Sequence, residues 1–345
     1  MIKAAIKREK SDARISFSER KQARNEVSMF NAQCSMKNKV VGIGETILDV
    51  LFKNNQPVAA VPGGSSFNSI ISVGRAGVPC TFVGYTGADI VGQQTIDFMK
   101  KNGVSTEYFK VLEKEKSAIS LAFLNDQGDA NYVFYKQPPF TPENWKAPSL
   151  AANDVLLLSS YYAVCKGTRP MITQLLAEAN KVGAIVYYDL NFRKSHAHEL
   201  EALMPNILSN FSQSSIVRGS ADDFEIMYGT REAKEVYQQH IQAYCPIFIC
   251  TAGAGKIEVC TPNKNYHFQA PKIDNVVSTV GAGDSFNAGF SCALIWQGIT
   301  KEMLPNLSEE QWKNLISIAC QFAGNACQSK ENYISQGFKP RFHRD

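Results

Sequence analysis

The residues best suited to chemistry in this sequence are Gly281, Ala282, Gly283 and Asp284, within the segment STVGAGDSFNAGF. Glycine weakens a helix or strand interior by roughly 0.5–1 kcal/mol relative to alanine, so clustered glycines suggest that the backbone must approach something closely. From Asp284 to Trp296 the apolar residues follow a helical spacing. The segment is therefore predicted to be a tight glycine turn that leads into the N-terminus of a helix.

A helix N-terminus of this kind can bind an anion, because its first N–H groups lack partners within the helix and the dipole is positive there. A carboxylate beside a bound phosphate is unfavourable unless it acts on a second reactant. Asp284 could accept a proton from an attacking hydroxyl while the N–H groups stabilise a transferring phosphoryl group. Aspartate is also a favoured helix cap, and the spacing alone does not decide between the two roles.

Two other phosphate-binding patterns are not found. The sequence contains no G-x-x-x-x-G-K-[ST] motif, which excludes a P-loop kinase on motif grounds. The first predicted strand is followed by Gly42 and Gly44, but Ile47 stands where a dinucleotide fingerprint needs its third glycine. A nicotinamide-dependent dehydrogenase is therefore disfavoured.

Composition and charge limit the class of protein. The chain has 345 residues, is 44% hydrophobic and carries a net charge of +4. Residues 1–35 contain eight basic and four acidic residues, which accounts for the whole net charge, so the body is neutral and a nucleic-acid partner has little support. We expect residues 1–36 to be a disordered extension or the result of a misassigned start codon, since Met36 directly precedes the first predicted strand. The extension lacks the apolar core of a secretory signal, and its four acids argue against a transit peptide.

The cysteines and the hydrophobic pattern indicate a protein of the cytoplasm. The sequence has nine cysteines, an odd number without a C-x-x-C pair, and several lie inside apolar runs. This pattern fits reduced core thiols better than a disulfide framework or a zinc site. No stretch approaches the ~18 consecutive apolar residues of a membrane helix, so we expect no membrane association.

The elements that must position these residues alternate between short apolar runs and helical patterns from residue 39 onward. Strands separated by helices of this length imply βαβ crossovers and a mainly parallel sheet covered by helices on both faces. The predicted strands are 40–44, 80–85, 154–160, 184–190, 214–219 and 246–253, and the predicted helices include 65–76, 90–102, 168–182, 199–211 and 231–243.

Two segments break this alternation and are predicted to be β-hairpins. The first turns at KNNQP and the second at NDQGD, with apolar residues alternating on either side. Hairpins have no obvious place in a parallel sheet, so we expect a small separate antiparallel lid, with strands from about 47–62 and 117–137. We expect residues 37–340 to form a single domain that carries this lid.

The segment around Asp284 resembles the D-T-x-G-A-G-D signature of the ribokinase-like (PfkB) family of carbohydrate kinases. Five further segments resemble motifs of that family in the same order, namely VGIGETILDV, PGGSSFNSIISVGRAG, GYTGADIVG, YYDLNFRKS and CTAGAGK. Together the motifs cover essentially all of residues 38–335, and six ordered motifs are far more specific than one. The resemblance implies the ribokinase-like α/β fold and the ATP-dependent phosphorylation of a sugar hydroxyl.

The resemblance also implies roles for the glycine turn and the sugar pocket. Asp284 would be the general base, and the backbone N–H groups of the 281–284 turn, those of Gly281, Ala282, Gly283 and Asp284, would form the hole for the γ-phosphoryl group. Sugar hydroxyls would be held by Asp49, Gly63, Gly64 and Asn68. Arg193 would reach a phosphate or an acidic sugar group. From the residues alone, a turn at the two glycines, a helix cap at Asn68 and a surface ion pair at Arg193 remain open.

For the nucleotide, the resemblance implies that Thr251 and Gly253 line the ATP phosphates and that Asn325 closes the adenine pocket. Lys256 stands where a further glycine of the T-x-G segment would be, and it contacts phosphate or faces solvent. Asp223 stands where the family often shows a glutamate, and it would order water bound to Mg²⁺. Ser278 replaces the first aspartate of the signature, and its neutral hydroxyl is a poorer cation ligand, which argues against potassium activation.

Within the family, DLNFR and the second hairpin resemble fructokinases and 2-keto-3-deoxygluconate kinases more than ribokinase or adenosine kinase. Acid-sugar kinases carry a basic residue after the lid strand, and YKQPPF offers only Lys136. The expected substrate is therefore a neutral ketohexose such as fructose. The alternatives are 2-keto-3-deoxygluconate, another sugar or a nucleoside, or a non-catalytic sugar-binding protein. The expected partners are the sugar, ATP, Mg²⁺ and a second copy of the chain bound through the lid.

Overall fold

The computed structural model describes residues 37–124 and 130–342 of the 345-residue chain. Two parts of the sequence predictions lie outside the described residues, the extension at 1–36 and the NDQGD turn at 125–129. The chain from Asn38 onward belongs to one compact unit, which contains the elements described below.

Strands and helices alternate along most of the described chain. The strands are β1 (Val40–Ile43), β2 (Ile47–Lys53), β3 (Gln56–Gly63), β4 (Cys80–Gly87), β5 (Val104–Ser105), β6 (Phe109–Leu112), β7 (Ile119–Leu124), β8 (Ala130–Tyr135), β9 (Val155–Ser159), β10 (Ile185–Asp189), β11 (Ile216–Ser220), β12 (Phe248–Thr251), β13 (Lys256–Cys260) and β14 (Asn265–Gln269). The α-helices are α1 (Ser65–Arg75), α2 (Ile90–Lys101), α3 (Arg169–Val182), α4 (Leu200–Gln213), α5 (Ala221–Tyr228), α6 (Ala233–Val236), α7 (Ala282–Trp296) and α8 (Glu309–Cys327).

The main sheet of the described chain has ten strands, in the order β14-β13-β12-β11-β10-β9-β1-β4-β5, with β6 also paired to β4. The pairings from β12 to β5 and that of β4 with β6 are parallel. Strands β13 and β14 extend this sheet by antiparallel pairing. The prediction of a mainly parallel sheet is confirmed, whereas the β13–β14 extension was not predicted.

Parallel strands bring polar residues to one edge of the sheet. The carboxyl ends of β1, β9, β10, β11 and β12 lie at the same edge, where open α/β sheets bind their ligands. The register pairs Asp189 with both Ser159 and Arg218, and it pairs Ser220 with Thr251. A binding site built from these strand ends therefore gathers residues from distant parts of the sequence.

Helices cover both faces of the sheet. On one face α7 packs against α1 and α8, and α1 lies on β1, where a Cβ at Gly42 would overlap the side chain of Ile70. Glycine at this position therefore lets α1 approach the sheet closely. On the other face the core includes Leu175 of α3, Ile207 of α4 and Phe224 of α5, all fully buried.

The predicted lid is present as a second sheet with the order β3-β2-β7-β8. Each hairpin is antiparallel, and a parallel pairing of β2 with β7 joins the two hairpins. The first hairpin turns at Asn54 and Asn55, which both have positive φ, at 51° and 60°. Such a two-residue turn matches the twist of the strands, and asparagine tolerates its left-handed backbone.

Within the described ranges, no helix is both long and apolar enough to cross a bilayer. Eight cysteines in these ranges are buried and carry free thiols. Burial raises the pKa of Cys80 to about 12, so this thiol stays protonated and packs as an apolar core group.

The contact between α7 and α8 depends on a small residue, which makes it testable. A Cβ at Gly289 would lie 2.8 Å from Cγ of Phe322 and 2.9 Å from Cα of Ala319. We expect Gly289→Leu to force the helices apart and to lower the free energy of unfolding by at least about 1–3 kcal/mol, the usual range for an overpacked core. Thermal or urea unfolding measures this change.

Gly324 of α8 provides the matched control, because a Cβ there would meet only Ile273 at an ordinary 3.4 Å. Gly324→Ala should be neutral or stabilising by up to about 1 kcal/mol. Equal effects of the two variants would contradict the packing argument.

Candidate active site

The predicted glycine turn and helix are both present at the edge of the sheet. Helix α7 begins at Ala282, and Gly281 is its N-cap residue in the left-handed conformation, with φ 78°. A Cβ at Gly281 would overlap the backbone carbonyl of Asn332, so both conformation and space require glycine at this position. Residues 281–284 are all partly accessible to solvent, so a ligand can reach this helix N-terminus.

The carboxylate of Asp284 bridges two helices. Ser65 Oγ donates a hydrogen bond to Asp284 Oδ1 over 2.7 Å, and Asn68 Nδ2 donates to Oδ2 over 2.9 Å. Both donors lie in the first turn of α1. No side chain caps α7, so the capping alternative for Asp284 is wrong. The carboxylate instead lies between α1 and α7 and connects the two helices.

Opposing effects set the pKa of Asp284. Burial raises the pKa above the ordinary aspartate value, because desolvation disfavours the charged form. The hydrogen bonds from Ser65 and Asn68 and the charge of Arg193 act in the opposite direction, while Asp189 adds a smaller repulsion. A raised pKa held in check by donors suits a group that must accept a proton near neutral pH.

Asp49 occupies the inner face of the lid. Its register partner on β7 is Ser120, whose hydroxyl donates a hydrogen bond to Asp49 Oδ1. On the other side, a Cβ at Gly63 would lie 2.7 Å from Asp49 Oδ2, so a side chain at this glycine would press on the carboxylate. Burial raises the pKa of Asp49, and Ser120 and Arg193 oppose that shift.

Asn68 has an unused acceptor beside the candidate base. It lies inside α1, whose N-cap is Gly64, so the cap alternative for Asn68 is wrong. Its Nδ2 is used by Asp284, but its Oδ1 is buried and has no hydrogen-bond partner among the described residues. Buried polar atoms are rarely left unpaired, which marks Oδ1 as a position for a ligand hydroxyl. Gly64 has φ 123° and is the N-cap of α1, whereas Gly63 is the last residue of β3, so the chain changes direction at Gly64 and not at a turn of both glycines.

Arg193 completes this group from the loop after β10. It is exposed, and no carboxylate of the described residues lies within ion-pair distance of it. Its charge nevertheless acts on both Asp49 and Asp284, where it opposes the rise in pKa that burial causes. The structure therefore brings Asp49, Asn68, Arg193 and Asp284 to one cleft, although they are far apart in the sequence.

Comparison with known proteins identifies the family. A family model described as pfkB family carbohydrate kinase matches residues 37–336, nearly the whole described chain. This chain belongs to the pfkB family. It is a carbohydrate kinase, which supports the prediction of an enzyme over that of a non-catalytic binding protein.

Individual relatives of this kinase agree with the family assignment. The fructokinase of Escherichia coli is 23% identical over 298 residues, which cover 86% of this chain and 95% of that protein. A crystal structure of fructokinase from Vibrio cholerae O395 with fructose, ADP and calcium has a TM-score of 0.75 at 19% identity and covers 86% of this chain and 95% of that one. Aminoimidazole riboside kinase from Salmonella enterica, crystallised with the riboside and an ATP analog, has a TM-score of 0.72 at 22% identity over 86% and 95% of the two chains. The ribokinase-like fold is therefore confirmed.

The predicted nucleotide residues of this pfkB kinase begin at the end of β12. Thr251 is the last residue of that strand, and its Oγ1 accepts a hydrogen bond of 2.6 Å from Arg218 Nη2. Because its oxygen is occupied as an acceptor, the hydroxyl proton remains free to donate to a ligand. Gly253 has φ 54° with open space around it, so the backbone there can approach a ligand.

Two other predicted nucleotide residues already make contacts within the protein. The ammonium of Lys256 lies 2.5 Å from Glu258 Oε1, and the lysine is half exposed. The side-chain oxygen of Asn325 accepts a hydrogen bond of 2.7 Å from the backbone N–H of Ser335. To reach a phosphate, Lys256 must break its ion pair with Glu258. Asn325 holds the C-terminal segment in place through its hydrogen bond with Ser335.

A buried network beneath the glycine turn was not predicted from the sequence. Arg218 Nη1 donates to both carboxylate oxygens of Asp189 over 3.1 and 3.0 Å, and Asn287 Nδ2 donates to Asp189 over 2.6 Å. The guanidinium lies directly under the helix start, since a Cβ at Gly283 would be 3.3 Å from Nη1. The signal in the sequence was an arginine within the apolar run SSIVRG, where a charged residue needs a buried partner.

The predicted metal residue lies in the same region. Asp223 is in α5 and forms a capping box with Ser220, whose N–H donates to Asp223 Oδ2 over 2.6 Å. Burial raises the pKa of Asp223 to about 6, and repulsion from Asp189 adds to the shift. Its other carboxylate oxygen accepts no hydrogen bond from the described residues. No cluster of three or more metal-ligating side chains occurs in the part of the chain that the structure describes.

Ser278, which replaces an aspartate of the family signature, forms hydrogen bonds with backbone atoms of the described residues. Its Oγ accepts a hydrogen bond of 3.2 Å from the N–H of Val280, and its N–H donates to the carbonyl of Cys327 over 3.2 Å. The hydroxyl therefore stabilises the approach to the glycine turn and provides no negative charge.

The hydrogen bonds to Asp284 predict a pH effect. Asn68→Ala and Ser65→Ala each remove a donor that stabilises the ionised carboxylate, so the pKa of Asp284 should rise further. Because the base must be ionised to work, the acid limb of the kcat/KM profile should move to higher pH in both variants. The profile with ATP and a sugar substrate measures this shift.

Ser69→Ala is the matched control, since Ser69 Oγ donates to the backbone carbonyl of Asp284 over 2.9 Å and does not touch the carboxylate. Its acid limb should stay at the wild-type position. An unmoved limb in the Ser65 and Asn68 variants would show that the titrating base is another group.

Proposed function

We propose that this kinase transfers the γ-phosphoryl group of ATP to a primary hydroxyl of a neutral ketohexose such as fructose. The observation that carries the proposal is the carboxylate of Asp284, held by Ser65 and Asn68 at the accessible N-terminus of α7. A base and an anion-binding helix terminus are the two groups that a phosphoryl transfer to an alcohol needs.

The ligands of related proteins support the same reactants. The Vibrio cholerae structure contains fructose and ADP, and the Salmonella enterica structure contains a riboside and an ATP analog. Both have TM-scores above 0.7 to this chain. We therefore infer a sugar and ATP as the two substrates, with ADP and a sugar phosphate as products.

In the proposed reaction the sugar hydroxyl attacks the γ-phosphorus and loses its proton to Asp284. A new bond forms between the sugar oxygen and phosphorus, and the bond between the γ-phosphorus and the bridging oxygen breaks. The electron pair of that bond leaves with ADP. A general base of this kind contributes typically 10²–10⁴-fold to the rate.

The helix start stabilises the charge of the transferring group. The first N–H groups of α7 have no carbonyl four residues earlier in the helix, and the dipole adds partial positive charge. The N–H of Ala282 makes a long contact of 3.3 Å to the carbonyl of Thr279, so Gly283 and Asp284 are the more available donors. Arg218, under Gly283, adds a cation at the same end of the helix.

The sugar hydroxyls are assigned to the groups around the cleft. Asp49 accepts hydrogen bonds from one part of the sugar, and the unpaired Oδ1 of Asn68 accepts another near the reacting hydroxyl. Gly63 and Gly64 let the backbone pass close to Asp49 and to the carbonyl of Glu45, because a Cβ at either position would overlap one of these groups. Arg193 donates from the open side of the cleft.

Magnesium fits the site as a companion of the nucleotide. Mg²⁺ commonly binds substrate phosphates, waters and only one or two carboxylates. Asp223 provides one carboxylate with a free oxygen, which suffices to order a metal-bound water but not to hold the ion alone. When bound, the ion neutralises phosphate charge. We propose that potassium is not needed, because Ser278 carries no charge.

One observation favours 2-keto-3-deoxygluconate as a second candidate substrate. The exposed guanidinium of Arg193 has no ion-pair partner among the described residues, and such a group can bind the carboxylate of a sugar acid. The carboxylates of Asp49 and Asp284 in the same cleft oppose a further anion. A panel of ketoses, aldoses, sugar acids and nucleosides with ATP and Mg²⁺, read by ADP release, decides between the candidates.

Replacing the base tests the mechanism directly. Asp284→Asn keeps the size of the side chain but removes its ability to accept a proton, so we expect kcat to fall by at least about 10²-fold. Sugar and nucleotide affinities, measured by calorimetry, should be largely retained. Steady-state kinetics with the best sugar of the panel measures the loss.

The exposed Asp274, in the loop before α7, provides a control, and Asp274→Asn should match the wild type. An Asp284→Asn enzyme as fast as the wild type would remove Asp284 from the proposed role. Absence of sugar-dependent ADP release by the wild-type protein would refute the function itself.

We further propose a homodimer formed through the outer face of the lid. This face is opposite to Asp49 and Ser120, and it is lined by apolar side chains at Val50, Phe52, Leu121, Phe123 and Val133. Phe52 and Phe123 stack at 5.0 Å, and Val133 is 43% exposed. A contiguous apolar sheet face of this kind is unusual on a monomer.

Val133→Glu should weaken this dimer, because it places a charge in the apolar face. We expect the molar mass measured by light scattering to fall from that of two chains towards that of one at micromolar protein. Val111→Glu, at a similarly exposed valine on β6, is the control and should leave the mass unchanged. A wild-type protein that is monomeric at these concentrations would contradict the proposal.

A further inference from the structure

An ion pair joins the lid to the body of the protein beside the candidate sugar site. The ammonium of Lys136, directly after β8, lies 2.7 Å from both Oε1 and Oε2 of Glu45. Glu45 lies in the connection between β1 and β2, at the binding edge of the sheet. The side chains are 24% and 31% exposed, so water screens the pair only in part.

The position of Glu45 is fixed by its neighbours in the cleft. A Cβ at Gly64 would overlap the backbone carbonyl of Glu45, so Glu45 lies directly against this glycine of the sugar site. Burial raises the pKa of Asp49, and the charge of Glu45 adds to that shift. The negative charge of Glu45 therefore acts in the same part of the cleft as the charge of Asp49.

Lys136 approaches from the inner face of the lid. The register aligns Phe134 with Ser120 and Ser120 with Asp49, so these three side chains share the face that covers the cleft. Tyr132 lies two residues before Phe134, on the same face, and the two rings stack at 5.7 Å. The ammonium of Lys136 lies 5.5 Å from the centre of the Phe134 ring.

The charges around the cleft favour an uncharged sugar. The described residues place three carboxylates there, those of Glu45, Asp49 and Asp284, against the two cations Arg193 and Lys136. Lys136 is the cation that the lid brings to this cleft, and Glu45 holds it through both carboxylate oxygens. An anionic sugar thus meets one excess negative charge and a lysine that is already paired.

We propose that Glu45 is a specificity-determining residue, which excludes anionic sugars by neutralising Lys136 and by adding its own negative charge to the cleft. The inference rests on the proposed function, and it assigns to Glu45 the choice between neutral and anionic sugars. Two unit charges about 12 Å apart near a protein surface interact by an energy that corresponds to about a tenfold change in an equilibrium constant. Removing the charge of Glu45 should change selectivity by that order.

Glu45→Gln tests the proposal with little disturbance of shape, since the amide oxygen can still accept a hydrogen bond from Lys136. The measurement is kcat/KM with fructose and with 2-keto-3-deoxygluconate. We expect the ratio of acid sugar to neutral sugar to rise about tenfold relative to the wild type. The rise should shrink at high salt, because the effect is electrostatic, whereas a purely structural change would persist.

A second variant tests whether Lys136 is the residue through which Glu45 acts. Lys136→Met alone should lower the ratio, because Glu45 then acts on the sugar unpaired. The double variant Glu45→Gln with Lys136→Met should lose most of the gain. If Glu45→Gln proves unstable in thermal unfolding, the Lys136→Met ratio and its salt dependence still test the proposal.

The exposed pair of Glu310 with Lys313 on α8 provides the matched control. Glu310→Gln removes a surface charge of the same kind and should leave the ratio unchanged. An unchanged ratio in Glu45→Gln, or the full gain in the double variant, would overturn the inference. If the wild-type enzyme phosphorylates fructose, either of these results overturns the inference but leaves the proposed function intact. If the wild-type enzyme is inactive on every neutral sugar, the proposed function itself is contradicted.

Discussion

Asp284 places a carboxylate at the positive end of a helix without serving as its cap. It is kept away from the N–H groups of its own helix because Ser65 and Asn68 of α1 take both of its oxygens. The N–H groups of α7 are therefore left without a side-chain cap. The close approach of α1 to α7 fixes the position of the carboxylate as well as the packing of the two helices.

The region under this helix start supports the same arrangement. Arg218 is buried beneath Gly283 and paired with Asp189, which Asn287 of α7 also contacts. A cation under the positive end of a helix is unfavourable by itself, and the ion pair with Asp189 offsets this repulsion. The same arginine donates to Thr251 at the end of β12. One buried ion pair thus connects the N-terminus of α7 with the end of β12.

The two faces of the lid differ in polarity. Because side chains alternate along a strand, its inner face presents Asp49 and Ser120 to the cleft while its outer face presents Val50 and Leu121 to solvent. The inner face is polar and partly charged, which suits a sugar. The outer face is apolar, which suits a second copy of the chain. A slip of one residue in the register would exchange the two faces.

Local patterns in the chain were enough to predict the alternation of strands and helices, the parallel sheet, the lid hairpins and the turn at Gly281, because each depends on periodicity or on residues with special backbone freedom. These patterns left open whether Asp284 and Asn68 are caps. The folded chain resolved this, since the partners of Asp284 are more than 200 residues away in the sequence. For the same reason the pairings of Arg218 with Asp189 and of Glu45 with Lys136 were not predicted. Long-range electrostatic contacts leave no periodic signal in a single chain, because they depend on which strand ends the fold brings together.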